Sequence, residues 1–280
     1  MQLSVDNSVF LPRCERMIFL VYMVFGAIAG LLAGLFGIGG GVIVVPALVL
    51  AFNLQGISPD IVFYMAIATS LTNIIFTSLG AIKTHHKKAA IEWYLVKPIA
   101  VGMLVGTFFG VNTALTIPAI YLQASFGVFA IFMSLSMMFS QPTATQHRLP
   151  GSVALGVTGA LIGWISALFG IGGGNLLVTY LTNRRLVIQK AVATASTCGF
   201  AIAIAGATSN AVMGWGNPVL PVFSLGYIYL PALLGLVSTS FLAANYGAKI
   251  AHQLSARKLK RLFAWMLLIV GLRMLISIWY

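Results

Sequence analysis

Residues 35–41 read Leu-Phe-Gly-Ile-Gly-Gly-Gly, and residues 168–174 read the same seven letters. Glycine at this density opposes continuous helix, because it loses the most backbone freedom on ordering. Each run is followed at once by a short apolar segment, at about 42–53 and 175–182. A helix that starts directly after such a run presents unsatisfied N–H groups and the positive end of its dipole. The chemistry open to it is anion binding by the backbone. Gly37, Gly39, Gly40 and Gly41 in the first copy, and Gly170, Gly172, Gly173 and Gly174 in the second, are therefore candidate substrate-binding residues.

Few side chains could add to such a site. Thr69, Ser70, Thr72 and Asn73 lie in the apolar stretch after the first short segment, and Thr194, Ser196 and Thr197 occupy the corresponding stretch later in the chain. Helical spacing puts Thr69, Thr72 and Asn73 on one face, and Thr194 and Thr197 likewise. Asn175 follows the second glycine run directly. Hydroxyls and amides can hydrogen-bond an oxyanion, so Thr69, Ser70, Asn73, Asn175, Thr194 and Thr197 complete the candidate set. The competing role for each is an interhelical hydrogen bond, or a bond back to the carbonyl one turn earlier.

Other roles for the glycine runs fit less well. A nucleotide-binding loop needs a preceding strand and a following Lys-Ser/Thr pair, and neither is present. Close helix packing by small residues is the stronger rival. Gly102, Gly106 and Gly110, at four-residue spacing, are read in that way.

The four acidic residues, Asp6, Glu15, Asp60 and Glu92, and the four histidines, His85, His86, His147 and His252, all fall in expected tails or loops. Carboxylates and histidines inside a membrane are the usual proton relays and cation sites. Their absence from the apolar segments disfavours a cation pump. It also removes the acid–base pairs and metal clusters an enzyme would use. The expectation is a non-enzyme with no metal site and no cofactor. Cys14 and Cys198 suggest neither a disulfide framework nor a zinc site.

These residues must be positioned by apolar elements. Hydrophobic residues make up 60% of the 280-residue chain and charged residues 7%, against roughly 25% charged in soluble domains. Such a chain cannot clothe a water-facing surface. In lipid every backbone polar group must be satisfied internally, and continuous apolar runs near 20 residues select helices. Apolar segments fall at about 17–36, 42–53, 61–82, 94–115, 121–140, 151–169, 175–182, 187–209, 226–247 and 262–280. Six are clear spans. Residues 17–53 and 151–182 are expected to be broken helices or re-entrant hairpins, and counting each once gives about eight transmembrane segments in an all-α bundle. The stretch from Met1 to Glu15 lacks the pattern of a removable signal peptide. The formal net charge of +12 is assigned to basic loops meeting lipid headgroups, not to nucleic acid.

The two glycine runs are offset by 133 residues (170 − 37), and the same offset relates Pro98 to Pro231 and Gly102 to Gly235. The string from Ala66 to Ser70 resembles that from Ala191 to Ala195. This predicts a duplication into transmembrane repeats 1–140 and 141–280. The loop at 54–60 lacks Lys and Arg, whereas 83–97 holds Lys83, Lys87, Lys88 and Lys97. In the second half the order reverses: 183–190 holds Arg184, Arg185 and Lys190, and 210–225 holds none. Residues 249–261 carry Lys249, Arg257, Lys258, Lys260 and Arg261. Basic loops face the cytoplasm, so the repeats are expected to be inverted, with both termini outside; Arg13 and Arg16 argue the other way. Lys97 and Lys190 open spans on the inferred cytoplasmic side, where they could gather anions. Snorkelling is the plainer reading for Lys97 and for Arg273.

The duplicated Gly-Ile-Gly-Gly-Gly, the Pro46 that follows the first copy, and Ala68-Thr69-Ser70 resemble the sulfite exporter TauE/SafE (TSUP) family over about residues 17–280. The resemblance implies an integral transporter of the prokaryotic inner membrane, handling sulfur-containing anions of the sulfite, sulfoacetate or thiosulfate type. The two half-sites are not equivalent. Thr179 stands where the first copy has Pro46, and Asn175 stands where it has Val42.

The expected function is a secondary transporter for small, sulfur-containing, organic or inorganic anions. Alternatives are a permease for another small organic anion or an amino acid, and a non-transporting membrane scaffold subunit. The expected partners are the bilayer and a small anion, with a homo-oligomer left open. Two interrupted helices favour transport, since a scaffold needs neither.

Overall fold

A computed structural model describes residues 7–36, 40–87, 89–139, 150–184, 186–251 and 256–277. Among these residues the chain forms ten α-helices and one small hairpin. The helices are α1 (Asn7–Phe36), α2 (Gly41–Leu54), α3 (Pro59–Lys87), α4 (Trp93–Thr116), α5 (Ala119–Phe139), α6 (Ser152–Phe169), α7 (Gly174–Asn183), α8 (Ile188–Met213), α9 (Leu230–Ala251) and α10 (Ala256–Ile276). Strands β1 (Ser224–Leu225) and β2 (Ile228–Tyr229) pair antiparallel between α8 and α9. Six helices, α3, α4, α5, α6, α8 and α9, are long and apolar enough to cross a membrane, and shorter apolar stretches lie in α1, α2 and α10.

Both interrupted segments are hairpins. Tyr22 of α1 accepts a hydrogen bond from Gln55 just beyond α2, and its ring meets Phe52 edge-on at 6.4 Å. The start of α2, at Gly40, lies instead against Ala29 and Ala33. The chain therefore turns back along α1. In the later copy Tyr180 of α7 lies 3.5 Å from the Thr158 hydroxyl, while Gly173 abuts Ile162 and Ser166. At ~1.5 Å per residue, the 14 residues of α2 and the 10 of α7 are too short to cross a ~30 Å hydrocarbon core.

The two halves have the same order of helices, and their packing is reciprocal. α4 packs along α6, and α9 packs along α1. Gly102 meets Gly156, Gly106 meets Ala160 and Gly110 meets Trp164, each so closely that a Cβ would overlap backbone. In the reciprocal interface Gly26 meets Leu236, Gly30 meets Ser240 and Gly247 meets Leu31. Numbers rise together in both, so each pair runs parallel. Without a hydrophobic drive between helices in lipid, such close approach of small residues is what holds them. The expected packing role of Gly102, Gly106 and Gly110 is thus observed.

α5 and α10, counterparts in the two halves, cross antiparallel. Gln123 donates to Ser277 at 2.9 Å, Gly127 abuts Leu275, and Ser134 donates to the Ala264 carbonyl at 2.6 Å. α3 and α8, also counterparts, pack together as well.

Some expectations are corrected. Asp60 lies in the first turn of α3, and His85, His86 and Lys87 end α3, where loops were expected; Glu92 lies in the connection before α4, as expected. The helices overshoot the apolar core, and their ends carry the charge that complements the dipole. Glu15 lies within α1, which begins well before residue 17. Residues 226–229 form a turn and β2, not the start of a helix, because Gly226 at φ 56 closes the hairpin. Asp6, Lys88, His147, Arg185 and His252 lie outside the described residues.

Candidate functional site

Gly40 and Gly173, counterparts at the 133-residue offset, precede α2 and α7 with φ of 72° and 64°. This left-handed backbone costs other L-residues roughly 1 kcal/mol or more, which is why glycine stands at both positions. Gly170 (φ 66°) ends α6 in the same conformation. Gly37, Gly39 and Ile38 lie outside the described residues.

The two breaks touch. A Cβ on Gly41 would overlap the Gly170 carbonyl oxygen and lie 3.0 Å from the Ile171 Cα. A Cβ on Gly170 would fall 2.8 Å from Val45 of α2. Ser70 donates to the Gly170 carbonyl at 2.8 Å, which ties α3 of the first half to the second break. Ile171 is 4% exposed. Gly172 lies against Gly199 of α8, and Gly174 is buried at the first turn of α7. The ladder of α7 opens with Leu177, whose N–H donates to the Gly173 carbonyl. The amides of Gly174, Asn175 and Leu176 precede that bond, as the first amides of any helix do.

A cavity of about 10 Å³ lies where the helix starts meet, lined by Val42 of α2, Phe129 and Met133 of α5, Gly173 and Asn175 of α7, and Leu267 of α10. It is room for about one water molecule. Asn175 and Val42 are counterparts, so the cavity sits where the halves face one another. The Asn175 amide nitrogen has the Met137 sulfur at 3.9 Å, a weak acceptor.

The hydroxyls divide into separate tasks. Thr69 accepts the backbone N–H of Tyr229 at 3.1 Å, and Thr194 accepts that of Glu92 at 3.2 Å. Both threonines are fully buried. They satisfy amides at the starts of α9 and α4 and do not reach the cavity lining. Thr72 and Thr197 donate to carbonyls one turn back, of Ala68 and Ala193, as does Ser196 to Val192. Asn73 accepts from Ser240 of α9 at 3.0 Å, and its Nδ2 is buried without a partner among the described residues.

Sequence reasoning missed Ser166 of α6. It is fully buried, its hydroxyl lacks a hydrogen-bond partner among the described residues, and it faces Gly173. Its counterpart at the 133-residue offset is Ala33, so comparing the repeats residue by residue would have found it. The backbone roles of Glu92 and Tyr229 carry no side-chain signature and had no such signal.

Basic groups gather at the ends of α3 and α8. Lys190 pairs with Glu92 at 2.5 Å across the halves, and Arg184 lies 5.2 Å from the centre of the Tyr180 ring. Among the described residues no cluster of three metal-binding side chains occurs.

The fold is that of a multi-pass helical membrane protein whose two interrupted helices meet inside the bundle. Residues 22–274 match the family model described as Sulfite exporter TauE/SafE, and the chain belongs to that family of membrane transporters. It is 36% identical to a probable membrane transporter protein of Haemophilus influenzae, over 92% of this chain and 98% of the relative. It is 29% identical to one from Methanocaldococcus jannaschii, over 91% and 94%, and 26% identical to YunE, a probable membrane transporter protein of Bacillus subtilis, over 92% and 98%. No solved structure matches the chain.

Proposed function

We propose that the protein carries a small anion, organic or inorganic and of the sulfite, sulfoacetate or thiosulfate type, across a bacterial inner membrane. The observation that carries this reading is the contact of Gly41 with Gly170, with the starts of α2 and α7 opening on one cavity. Helix starts bring partial positive charge and free amides to that point without any ionised side chain. Irregular backbone at membrane depth is tolerated where it is buried in protein or lines a cavity. The sulfur chemistry comes from the family's description as a sulfite exporter.

The halves, 1–140 and 141–280, act as inverted repeats. Antiparallel crossing of the counterparts α5 and α10 supports this, because a two-fold axis relating antiparallel helices lies across them. Basic residues at the ends of α3 and the start of α8 mark the cytoplasmic side.

Access alternates as two groups of helices rock about the cavity. Packing supports groups that exchange their fourth helices: α9 lies with α1 and α3, and α4 lies with α6 and α8. The small cavity then corresponds to a closed state.

The test is flux into proteoliposomes with sulfite, thiosulfate, sulfoacetate and chloride as separate probes. Flux of at least one sulfur anion, lost in Gly40→Leu and Gly173→Leu, is expected. Absence of flux with every probe would remove the reading.

A further inference from the structure

We propose that the anion is held on one side only, at the start of α7, with the Ser166 hydroxyl as a direct donor to it; this deepens, and rests on, the anion-carrier reading. Three buried side-chain atoms lack a hydrogen-bond partner among the described residues, Asn73 Nδ2, Ser166 Oγ and Ser224 Oγ. A buried unpaired hydroxyl is costly to keep, and it persists where a ligand completes it. Ser166 Oγ lies 2.8 Å from the point a Gly173 Cβ would occupy. Gly173 caps α7 and lines the cavity. The unpaired hydroxyl therefore stands beside Gly173, the residue from which α7 starts and whose following amides precede its ladder.

The first half offers no equivalent. Ala33 replaces Ser166 and Val42 replaces Asn175 at the same offset. Around the cavity Asn175 adds an amide, while Val42, Phe129, Met133 and Leu267 add only apolar surface. An anion seated there has one polar end to satisfy and an apolar wall opposite. The chemical class is a compact anion with a single charged head, sulfonate, sulfite or carboxylate, whose remaining surface is apolar or absent. A second charged head, such as the carboxylate of sulfoacetate, would face Phe129 and Met133 without a partner, which is unfavourable, so the one-sided site narrows the proposed class and disfavours sulfoacetate.

The experiment uses the full chain purified in detergent, with ethanesulfonate and ethane-1,2-disulfonate as probes, binding read by calorimetry and unliganded melting read in parallel. Wild type is expected to bind ethanesulfonate more tightly than the disulfonate. Ser166→Ala and Ser166→Cys are expected to weaken ethanesulfonate binding about tenfold, the worth of one hydrogen bond to a charged group. Their unliganded melting should stay level or rise, because an unpaired buried hydroxyl has been removed or weakened. Ala33→Ser should change affinity less than about twofold. Unchanged binding in both Ser166 variants, or tighter binding of the disulfonate, overturns the one-sided site and leaves the carrier reading standing. A wild type that binds neither probe and transports no sulfur anion sinks both.

Discussion

Thr69 and Thr194 perform one task in opposite halves: each accepts the backbone N–H of the residue just before the other half's fourth helix, Tyr229 and Glu92 respectively. Two residues expected to hold substrate thus hold the exchanged helices in place.

Removing either acceptor should therefore cost stability. Thr69→Val and Thr194→Val keep the shape and delete the oxygen. Each is expected to lose about 1 kcal/mol, within the range for hydrogen bonds between membrane helices, and Thr→Ser should recover most of it. Reversible unfolding in mild detergent measures this. Valine variants as stable as wild type would show that the amides find other partners.

Glycine positions in the packed helices should separate by what a methyl group would strike. Gly106→Ala drives a Cβ into the Ala160 backbone, and forced overpacking of this kind costs about 1–3 kcal/mol. A Cβ on Gly80 meets only the edge of the Phe241 ring at 3.4 Å. Gly80→Ala should be neutral or gain up to about 1 kcal/mol from helix propensity. Melting temperatures of the two variants in one detergent settle the order, and equal shifts would contradict the packing.

Gly41→Ala tests the contact between the breaks, because its methyl group would overlap the Gly170 carbonyl. Loss of folded protein on size-exclusion, or loss of anion flux in what remains, is expected. Gly151→Ala is the control, since nothing lies within 4 Å of its Cβ and its φ is −63°. If Gly41→Ala transports at the wild-type rate, the breaks do not need to touch.

Leu54 and Val187 are counterparts at the 133-residue offset, and they are 76% and 60% exposed. Inverted repeats place them on opposite sides of the membrane. In a background with Cys14 and Cys198 replaced by Ala, Leu54→Cys and Val187→Cys should react with an impermeant maleimide from opposite faces. Labelling of both from the same face would reject inversion.

Much of the bundle was legible before any coordinates. Spans and interruptions follow from apolar length and glycine density, both of them local properties. Helix ends were less legible. α1 and α3 carry polar residues past the apolar core, and a helix does not stop where hydropathy falls. The turn at Gly226 was hidden inside an apolar run for the converse reason.

The sequence by itself determined that this chain lies in lipid, that it interrupts two helices with glycine, and that carboxylates and histidines are absent from its apolar segments. Those facts depend on residue type and spacing along one strand of chain. Only the tertiary structure decided which hydroxyls are spent on structure and which remain free. Thr69 meets an amide 160 residues away, Ser70 reaches across to the second break, and the Ser166 hydroxyl finds no hydrogen-bond partner among the described residues. A hydroxyl looks the same in sequence whether or not a partner arrives, because the partner is brought by packing and not by adjacency.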